Sequence, residues 1–348
     1  MRNFTDHLIT SGKTIKEALI KLDVLAKDAI LFVVNEKDNL IGSLTDGDVR
    51  RGLLKGITIE DNVNLIIQTN PRFIKKGDRD IKKVIEYRED NFRILPIIDK
   101  YNKVVNVINF RETRSYLPVD AVVMAGGRGT RLQPLTDSIP KPLLKVGDKA
   151  IMEHNIDRLA LYGIDDYWFT VNYLGEQIEE HFGNGNDKNR IINYVWEEIP
   201  LGTIGALSKI KNFEHDYILL TNSDILTNLD YEHFFVDFLE QDADFSAVTI
   251  PYKVNIPYAV FETNQREINN FKEKPSYTYY SNGGIYLMKR SALKYIPDGF
   301  FYNATDLMEK LIEEKKKIIS YPLSGYWLDV GKHEDFKKAQ KDINYIKL

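Results

Sequence analysis

Between residues 124 and 143 the chain reads MAGGRGTRLQPLTDSIPKPL. Gly126, Gly127 and Gly129 stand in one short run, followed by Thr130 and Arg131, then by Lys141 between two prolines. Glycines let backbone N–H groups approach an anion with no Cβ in the way. Arg131 adds a forked charge and Lys141 a mobile one. These are the parts of a triphosphate cradle, though not of a Walker A loop, since no Gly-Lys-Ser/Thr closes it. Asp224 stands in Thr221-Asn222-Ser223-Asp224-Ile225, directly after an apolar run. An acid at a strand end beside a phosphate site is a natural Mg²⁺ ligand. A second aspartate, Asp329, lies far downstream in Trp327-Leu328-Asp329-Val330-Gly331. Taken singly, either aspartate reads equally well as a turn or helix cap. The chain shows no Ser/His/Asp or Cys/His arrangement, and its six histidines are scattered. The chemistry on offer is charge neutralisation and positioning of phosphates.

The segment 124–143 resembles the signature of the sugar-1-phosphate nucleotidyltransferases, a GG-x-GTRL-x-PLT stretch followed by PKP. The resemblance runs from Asp120 to the C-terminus. It implies attack of a hexose-1-phosphate on the α-phosphorus of a nucleoside triphosphate, with Mg²⁺ as cofactor and pyrophosphate leaving. It places Ala125, Gly126, Gly127, Gly129 and Thr130 on the nucleotide, Arg131 on the triphosphate and Lys141 at the α-phosphorus. Asp224 and Asp329 match the pair that holds the metal. In Glu197-Glu198-Ile199-Pro200-Leu201-Gly202-Thr203, Gly202 lets a ligand come close and Thr203 can cap a helix over 204–210. The resemblance puts Gly202 and Thr203 against base and ribose. It also puts Glu273 on the sugar hydroxyls, Lys274 on the sugar phosphate, and Asn282 and Gly283 in the sugar pocket. A Lys-Glu-Lys run alone is an ordinary solvated surface. The 197–203 stretch looks most like the mannose-1-phosphate guanylyltransferase branch, which favours GTP; UTP and CTP stay open. A phosphorylated alcohol such as phosphocholine in place of the sugar, and a silent nucleotide sensor, are the other readings. Intact Arg131, Lys141, Asp224, Lys274 and Asp329 speak against the sensor.

These residues need elements to hold them. Strand patterns cover 121–123, 166–171, 191–196, 217–220 and 245–250, and helical spacing covers 151–162, 176–182, 231–240, 304–315 and 333–345. The alternation predicts an α/β fold, a Rossmann-like, mostly parallel open sheet with helices on both faces. Ligands then bind beyond the carboxyl ends of the strands, where the glycine loop sits.

The N-terminal third repeats itself. TIKEALIKLD at 14–23 and DIKKVIEYRE at 80–89 open with helix caps, Thr14 and Asp80, and Glu17 completes a capping box. Each leads through an apolar strand, a polar turn and a second strand, at an offset of 64 to 66 residues. Paired units of this kind pack together, since one copy cannot bury its own apolar face. The run Gly42-Ser43-Leu44-Thr45-Asp46-Gly47-Asp48 resembles a CBS ligand motif, and the whole a tandem CBS (α+β) module. The resemblance implies an adenine nucleotide held by Thr45 and Asp48, with Arg50 and Arg51 near its phosphates. The second copy, Asn106 to Glu112, departs from the motif, so one site at most carries over. A purely structural, oligomer-forming role is the alternative. CBS pairs ahead of such a transferase resemble glucosamine-1-phosphate guanylyltransferases. The division expected is 1–116 for the regulatory pair and 117–348 for the catalytic domain, with 114–119 as a short linker and a homo-oligomer as the working form.

At 348 residues the chain has room for two domains. Net charge is −4, with +4 over residues 1–119 and −8 over 120–348, so no nucleic acid is expected as partner. The absence of cysteine excludes disulfides, thiolate catalysis and Cys-ligated zinc, and points to the cytoplasm. No apolar run has the length of a membrane span, and Met1-Arg2-Asn3-Phe4-Thr5-Asp6 lacks the apolar core of a signal peptide.

Overall fold

The computed structural model describes residues 3–78, 80–186 and 189–346; Met1 and Arg2 of the N-terminal stretch just quoted lie outside them. The first unit runs β1 (Leu8–Thr10), α1 (Ile15–Leu25), β2 (Ile30–Val34), β3 (Leu40–Thr45) and α2 (Asp46–Leu54). The second runs β4 (Ile74–Lys75), α3 (Ile81–Glu89), β5 (Ile94–Ile98) and β6 (Val104–Asn109). Each makes a three-stranded sheet of identical plan, β1 parallel to β2 and β2 antiparallel to β3, then β4, β5 and β6 likewise. Even the irregularity repeats. The register slips between Val33 and Val34 in one sheet and between Ile97 and Ile98 in the other, 64 residues on. The capping box at Thr14 and Glu17 is present, and Asp80 accepts from the Lys83 N–H at 3.3 Å.

The remaining elements build a larger sheet. β7 (Val119–Met124) is followed by the short β8 (Lys145–Val146) and β9 (Lys149–Ala150), α4 (Ile151–Leu161), β10 (Asp166–Val171), α5 (Gly175–Phe182) and β11 (Ile191–Trp196). Next come β12 (Tyr217–Asn222), β13 (Ile225–Thr227), α6 (Tyr231–Glu240) and the long β14 (Phe245–Asn255). A hairpin, β15 (Val260–Asn264) and β16 (Glu267–Lys272), leads into β17 (Ser276–Lys289). The chain closes with α7 (Ala304–Glu313), β18 (Ile318–Pro322), β19 (Trp327–Asp329) and α8 (His333–Asp342). The seven-stranded order is β11-β10-β7-β12-β17-β14-β18, parallel except for β17. Alternation along the strands sorts the core into two layers. Ala121, Val123 and Leu219 pack with α4 and α6, whereas Val122, Ile218 and Leu220 pack with α7. Among the described residues no helix is long and apolar enough to cross a membrane.

One expectation changes. Residues 204–210 form a 3₁₀ segment, Gly205–Lys209, rather than an α-helix, and Thr203 does not cap it. The Thr203 hydroxyl accepts instead from Ala304 N–H at 2.8 Å, the first residue of α7. Residues 114–118 form the short connection into β7 and are packed against α4. Ser115, Tyr116 and Leu117 are buried, and the Arg114 and Leu117 N–H groups bond Leu161 and Tyr162 carbonyls at 2.6 and 3.1 Å. The second unit therefore shares one core with the large sheet, Ile81, Val84, Leu95 and Ile97 belonging to the same cluster as Leu159 and Tyr162. Arg88 adds a two-pronged bond to Glu232, both arms 2.9 Å.

Candidate active site

The glycine loop leaves β7 at its carboxyl end. The Ala125 N–H bonds the Thr170 carbonyl at 2.9 Å, which anchors the start of the loop on β10 and buries Ala125 beneath it. Gly129 adopts φ +63°, and a Cβ there would lie 3.0 Å from the Lys141 and Thr136 side chains. Any larger residue would displace Lys141. Gly127 is different, because among the described residues nothing beyond its chain neighbours lies within 4 Å of where its Cβ would stand. Packing does not ask for glycine there; space in the cleft does.

The loop forms one wall of a cleft of about 420 Å³. Gly126, Gly127, Gly129, Thr130, Arg131, Lys141, Gly202, Thr203 and Asp224 all line it. Lys141 follows Pro140 into a 3₁₀ turn and is buried. Its ammonium contacts Asp224 Oδ2 directly and stands 3.9 Å from Asp329 Oδ1. Asp224 and Asp329 meet because β13 pairs antiparallel with β19, Ile225 opposite Asp329, and the Val330 N–H bonds the Asp224 carbonyl at 2.9 Å. Gly331 keeps Arg131 beside them, since a Cβ there would lie 3.2 Å from the guanidinium and 3.3 Å from Asp329 Oδ2. Burial and the neighbouring Asp224 charge raise the Asp329 pKa, with Lys141 and Arg131 opposing.

One lysine thus stands between two carboxylates, and Oδ1 of each aspartate is buried with no hydrogen-bond partner. Orphaned anionic oxygens are costly unless a cation completes them, and hard oxygens suit a hard divalent ion. The donor set fits Mg²⁺.

Gly202 also serves the fold: with φ +78°, its Cβ would stand 2.6 Å from the Tyr302 carbonyl. The sugar-side residues lie elsewhere. Glu273 and Lys274 are exposed on the connection between β16 and β17 and do not line this cleft. Asn282 is exposed on the strand and bonded locally, accepting from Gly284 N–H at 2.9 Å and donating to the Tyr286 hydroxyl at 2.7 Å. The Gly283 carbonyl accepts from Trp327 Nε1 at 2.9 Å.

Thr45 and Asp48 bond each other. They form the capping box of α2, with Thr45 Oγ1 2.6 Å from Asp48 Oδ2, and Arg51 and Gln68 fill the other carboxylate oxygen. A local structural role accounts for both side chains. A second acidic group, Asp165, Asp166 and His215, lies at the opposite, amino-terminal end of the parallel strands. It is tied by Lys76, 3.0 Å from Asp166, and Asn106, 2.8 Å from Asp165, so it joins the second unit to the sheet.

Glu197 was not singled out from sequence, although it opens the motif already quoted. It follows β11, is buried in the cleft wall, and its Oε2 accepts from Leu201 N–H at 2.9 Å. Burial raises its pKa. Its position beside Gly126 comes from the neighbouring strand ends, which no local signal reveals.

A family model described as nucleotidyl transferase matches residues 120–345. The chain belongs to that family. Its relatives include the mannose-1-phosphate guanylyltransferase of Mycobacterium tuberculosis, 30% identical over 231 residues, 65% of this chain and 64% of that protein. The UTP–glucose-1-phosphate uridylyltransferase of Synechocystis is 29% identical, over 64% of this chain and 63% of that protein. The chain thus spans a little under two thirds of the length of these curated relatives. Among solved structures, HddC from Yersinia pseudotuberculosis superposes with a TM-score of 0.50 at 25% identity, covering 65% of this chain and 99% of that one. The nucleotidyl transferase match begins within β7, so the repeated N-terminal units fall outside it.

Proposed function

We propose that this chain is a sugar-1-phosphate nucleotidylyltransferase, converting a nucleoside triphosphate and a hexose-1-phosphate into a nucleotide sugar and pyrophosphate. The observation that carries this reading is the meeting of Lys141, Asp224 and Arg131 in one cleft against the glycine loop, with Asp329 beside Lys141. A sugar-phosphate oxygen bonds to the α-phosphorus, and the α–β bridging bond breaks. The nucleophile is already anionic near neutral pH, because a second phosphate pKa lies near ~6. No general base is required. The obstacle is repulsion: two unit charges about 4 Å apart repel by roughly 4 kcal/mol at an effective dielectric of 20. Arg131 holds the triphosphate and then the departing pyrophosphate, Lys141 carries charge to the α-phosphoryl oxygens, and Lys274 takes the sugar phosphate. Glu273, with the Asn282 and Gly283 segment, takes the sugar hydroxyls. Mg²⁺, held by Asp224 and Asp329, would supply further charge neutralisation at the phosphates.

GTP is the triphosphate favoured, with an aminohexose phosphate such as glucosamine-1-phosphate as partner. Glu197 supports the base. A carboxylate only accepts, and guanine alone offers two adjacent N–H donors on one edge; uracil offers one, flanked by carbonyls. A site that hydrogen-bonds its ligand rejects analogues lacking the matching groups. Glu197→Gln should therefore cut the preference for GTP over UTP at least ~10-fold. Pyrophosphate release over five triphosphates crossed with four hexose-1-phosphates tests the whole assignment. An unchanged preference in the variant would remove Glu197 from base reading, and silence across the panel would sink the activity.

Residues 1–116 are proposed as a CBS-like pair serving the catalytic part, 117–348, in a cytoplasmic enzyme. The repeated sheet plan supports it. An adenine nucleotide on Thr45 and Asp48 has to replace the capping-box bonds. Titration calorimetry with AMP and ATP tests this, and no heat with either would leave the pair a structural module.

A further inference from the structure

Asp224 lies just before β13 and Asp329 ends β19, and these two strands of three residues each form a sheet of their own. A two-stranded ribbon is marginal by itself, so other contacts must fix where the two carboxylates stand. Two polar side chains of α4 reach the ends of β13. Asn155 donates to the Ser223 carbonyl at 3.1 Å, the peptide group that leads into Asp224. Arg158 grips the other end: its Nη2 donates to the Asn228 and Leu229 carbonyls at 2.6 and 2.7 Å, and its Nε to Leu229 again at 3.2 Å. A spacing of three residues puts both on one helix face, and both are buried. Asn228 then ties β13 to β19. Its N–H donates to the Tyr326 carbonyl at 3.2 Å, and its Oδ1 accepts from the Tyr326 N–H at 2.7 Å, one residue before β19 begins. A Cβ on Gly325 would collide with that oxygen, so glycine there permits the approach.

Stability is a poor explanation for the α4 pair. Among the described residues Arg158 pairs with no carboxylate, and its guanidinium is served by neutral oxygens alone. Burying a charge in that way is costly, and an apolar side chain of similar length would fill the space at less cost. What the pair supplies is a fixed hold on the backbone at either end of the strand that follows Asp224. We infer that Asn155 and Arg158 are positioning residues for the metal-facing carboxylates: α4 holds β13 by both ends, and Asn228 passes that position on to β19 and Asp329. The inference rests on the Mg²⁺ reading above. Neither side chain lines the cleft, so both act through Asp224 rather than on a ligand. Partners that orient a metal's ligands commonly matter ~10- to 100-fold in metal affinity.

Mn²⁺ binding to the full chain without substrates, followed by the paramagnetic resonance of the free ion, is the first test. Asn155→Leu and Arg158→Met keep the bulk and lose the donors. Each should weaken Mn²⁺ binding at least ~10-fold, and the Val330 amide, bonded to the Asp224 carbonyl, should exchange its hydrogen faster. In pyrophosphate release, the Mg²⁺ concentration at half-maximal rate should rise by the same order, with the rate recovering at saturating Mg²⁺. Arg158→Lys keeps the charge without the fork and should fall between parent and Arg158→Met. Leu159→Ala, also on α4 but buried in the sheet core, controls for lost stability: it should lower the melt and leave Mn²⁺ binding unchanged. Should Arg158→Met fail to fold, Asn155→Leu and Arg158→Lys carry the test. Parent-like Mn²⁺ binding in the donor-free variants, or an equal loss in Leu159→Ala, would overturn the inference. Asp224→Asn separates the two readings. If it loses Mn²⁺ while the α4 variants keep it, only the positioning role fails; if it too binds Mn²⁺ like the parent, the metal reading fails and this inference with it.

Discussion

Lys141 is the residue on which the cleft balances. It sits buried between Asp224 and Asp329, one positive charge against two negative ones. That imbalance leaves the group net negative, with Lys141 packed beside Gly129 of the glycine loop. Arg131→Ala removes the charge proposed to face the triphosphate, and Asp224→Asn removes a charge proposed to face the metal while keeping the shape. Each should lower turnover by roughly 100-fold or more, the order measured when one contact that stabilises developing charge is lost. Pyrophosphate release, read beside an unchanged circular dichroism melt, checks both. Near-normal turnover in either variant would mean that the chemistry lies elsewhere. Of these residues, glycines, Arg131 and Lys141 are legible as a local run. Glu197 is not, because its place beside Gly126 depends on three strands ending level with one another.

At the level of elements, caps were readable and partners were not. Thr14 and Glu17 close a box within four residues, an interaction that local spacing dictates. Thr14→Ala should cost about 1 kcal/mol in urea unfolding of the first unit, without altering turnover. A larger loss would show that Thr14 does more than cap α1. Thr203 shows the opposite case: its sequence position suggests a cap for the segment that follows, yet its hydroxyl serves α7 about a hundred residues later. The pairing of β13 with β19 is the same kind of fact, and without it Asp329 has no reason to meet Asp224.

On the scale of the whole molecule, the second N-terminal unit and the catalytic sheet are one packed body. Lys76 and Asn106 reach from that unit into Asp166 and Asp165 at the amino ends of the strands. β7 and β10 then run from this junction to the glycine loop and Thr170. The junction is expected to respond to pH. Burial first, and then the Asp166 charge, push Asp165 up to about 6, above the ~3.9 of an unfolded aspartate. A raised carboxyl pKa means that its contribution to stability falls as pH rises from about 4 through about 6. Asp165→Asn keeps an acceptor for Asn106 and removes that charge. The variant should unfold at higher denaturant than the parent above about pH 6, the gap closing toward about pH 4. A gap that is constant with pH would show that Asp165 is not a strained charge.

The chain by itself determined what short range can encode. The glycine run and its cations, the helix caps, the alternation of strand and helix, and the 64-residue repeat all follow from neighbours in sequence. Local spacing controls backbone conformation and the face on which each side chain falls. Tertiary structure alone decided that Lys141 lies between two aspartates more than a hundred residues apart, that the connecting residues 115–117 are buried, and that the β16–β17 connection bearing Glu273 and Lys274 stands uncovered. Those outcomes depend on which distant surfaces bury each other, and no local pattern carries that information.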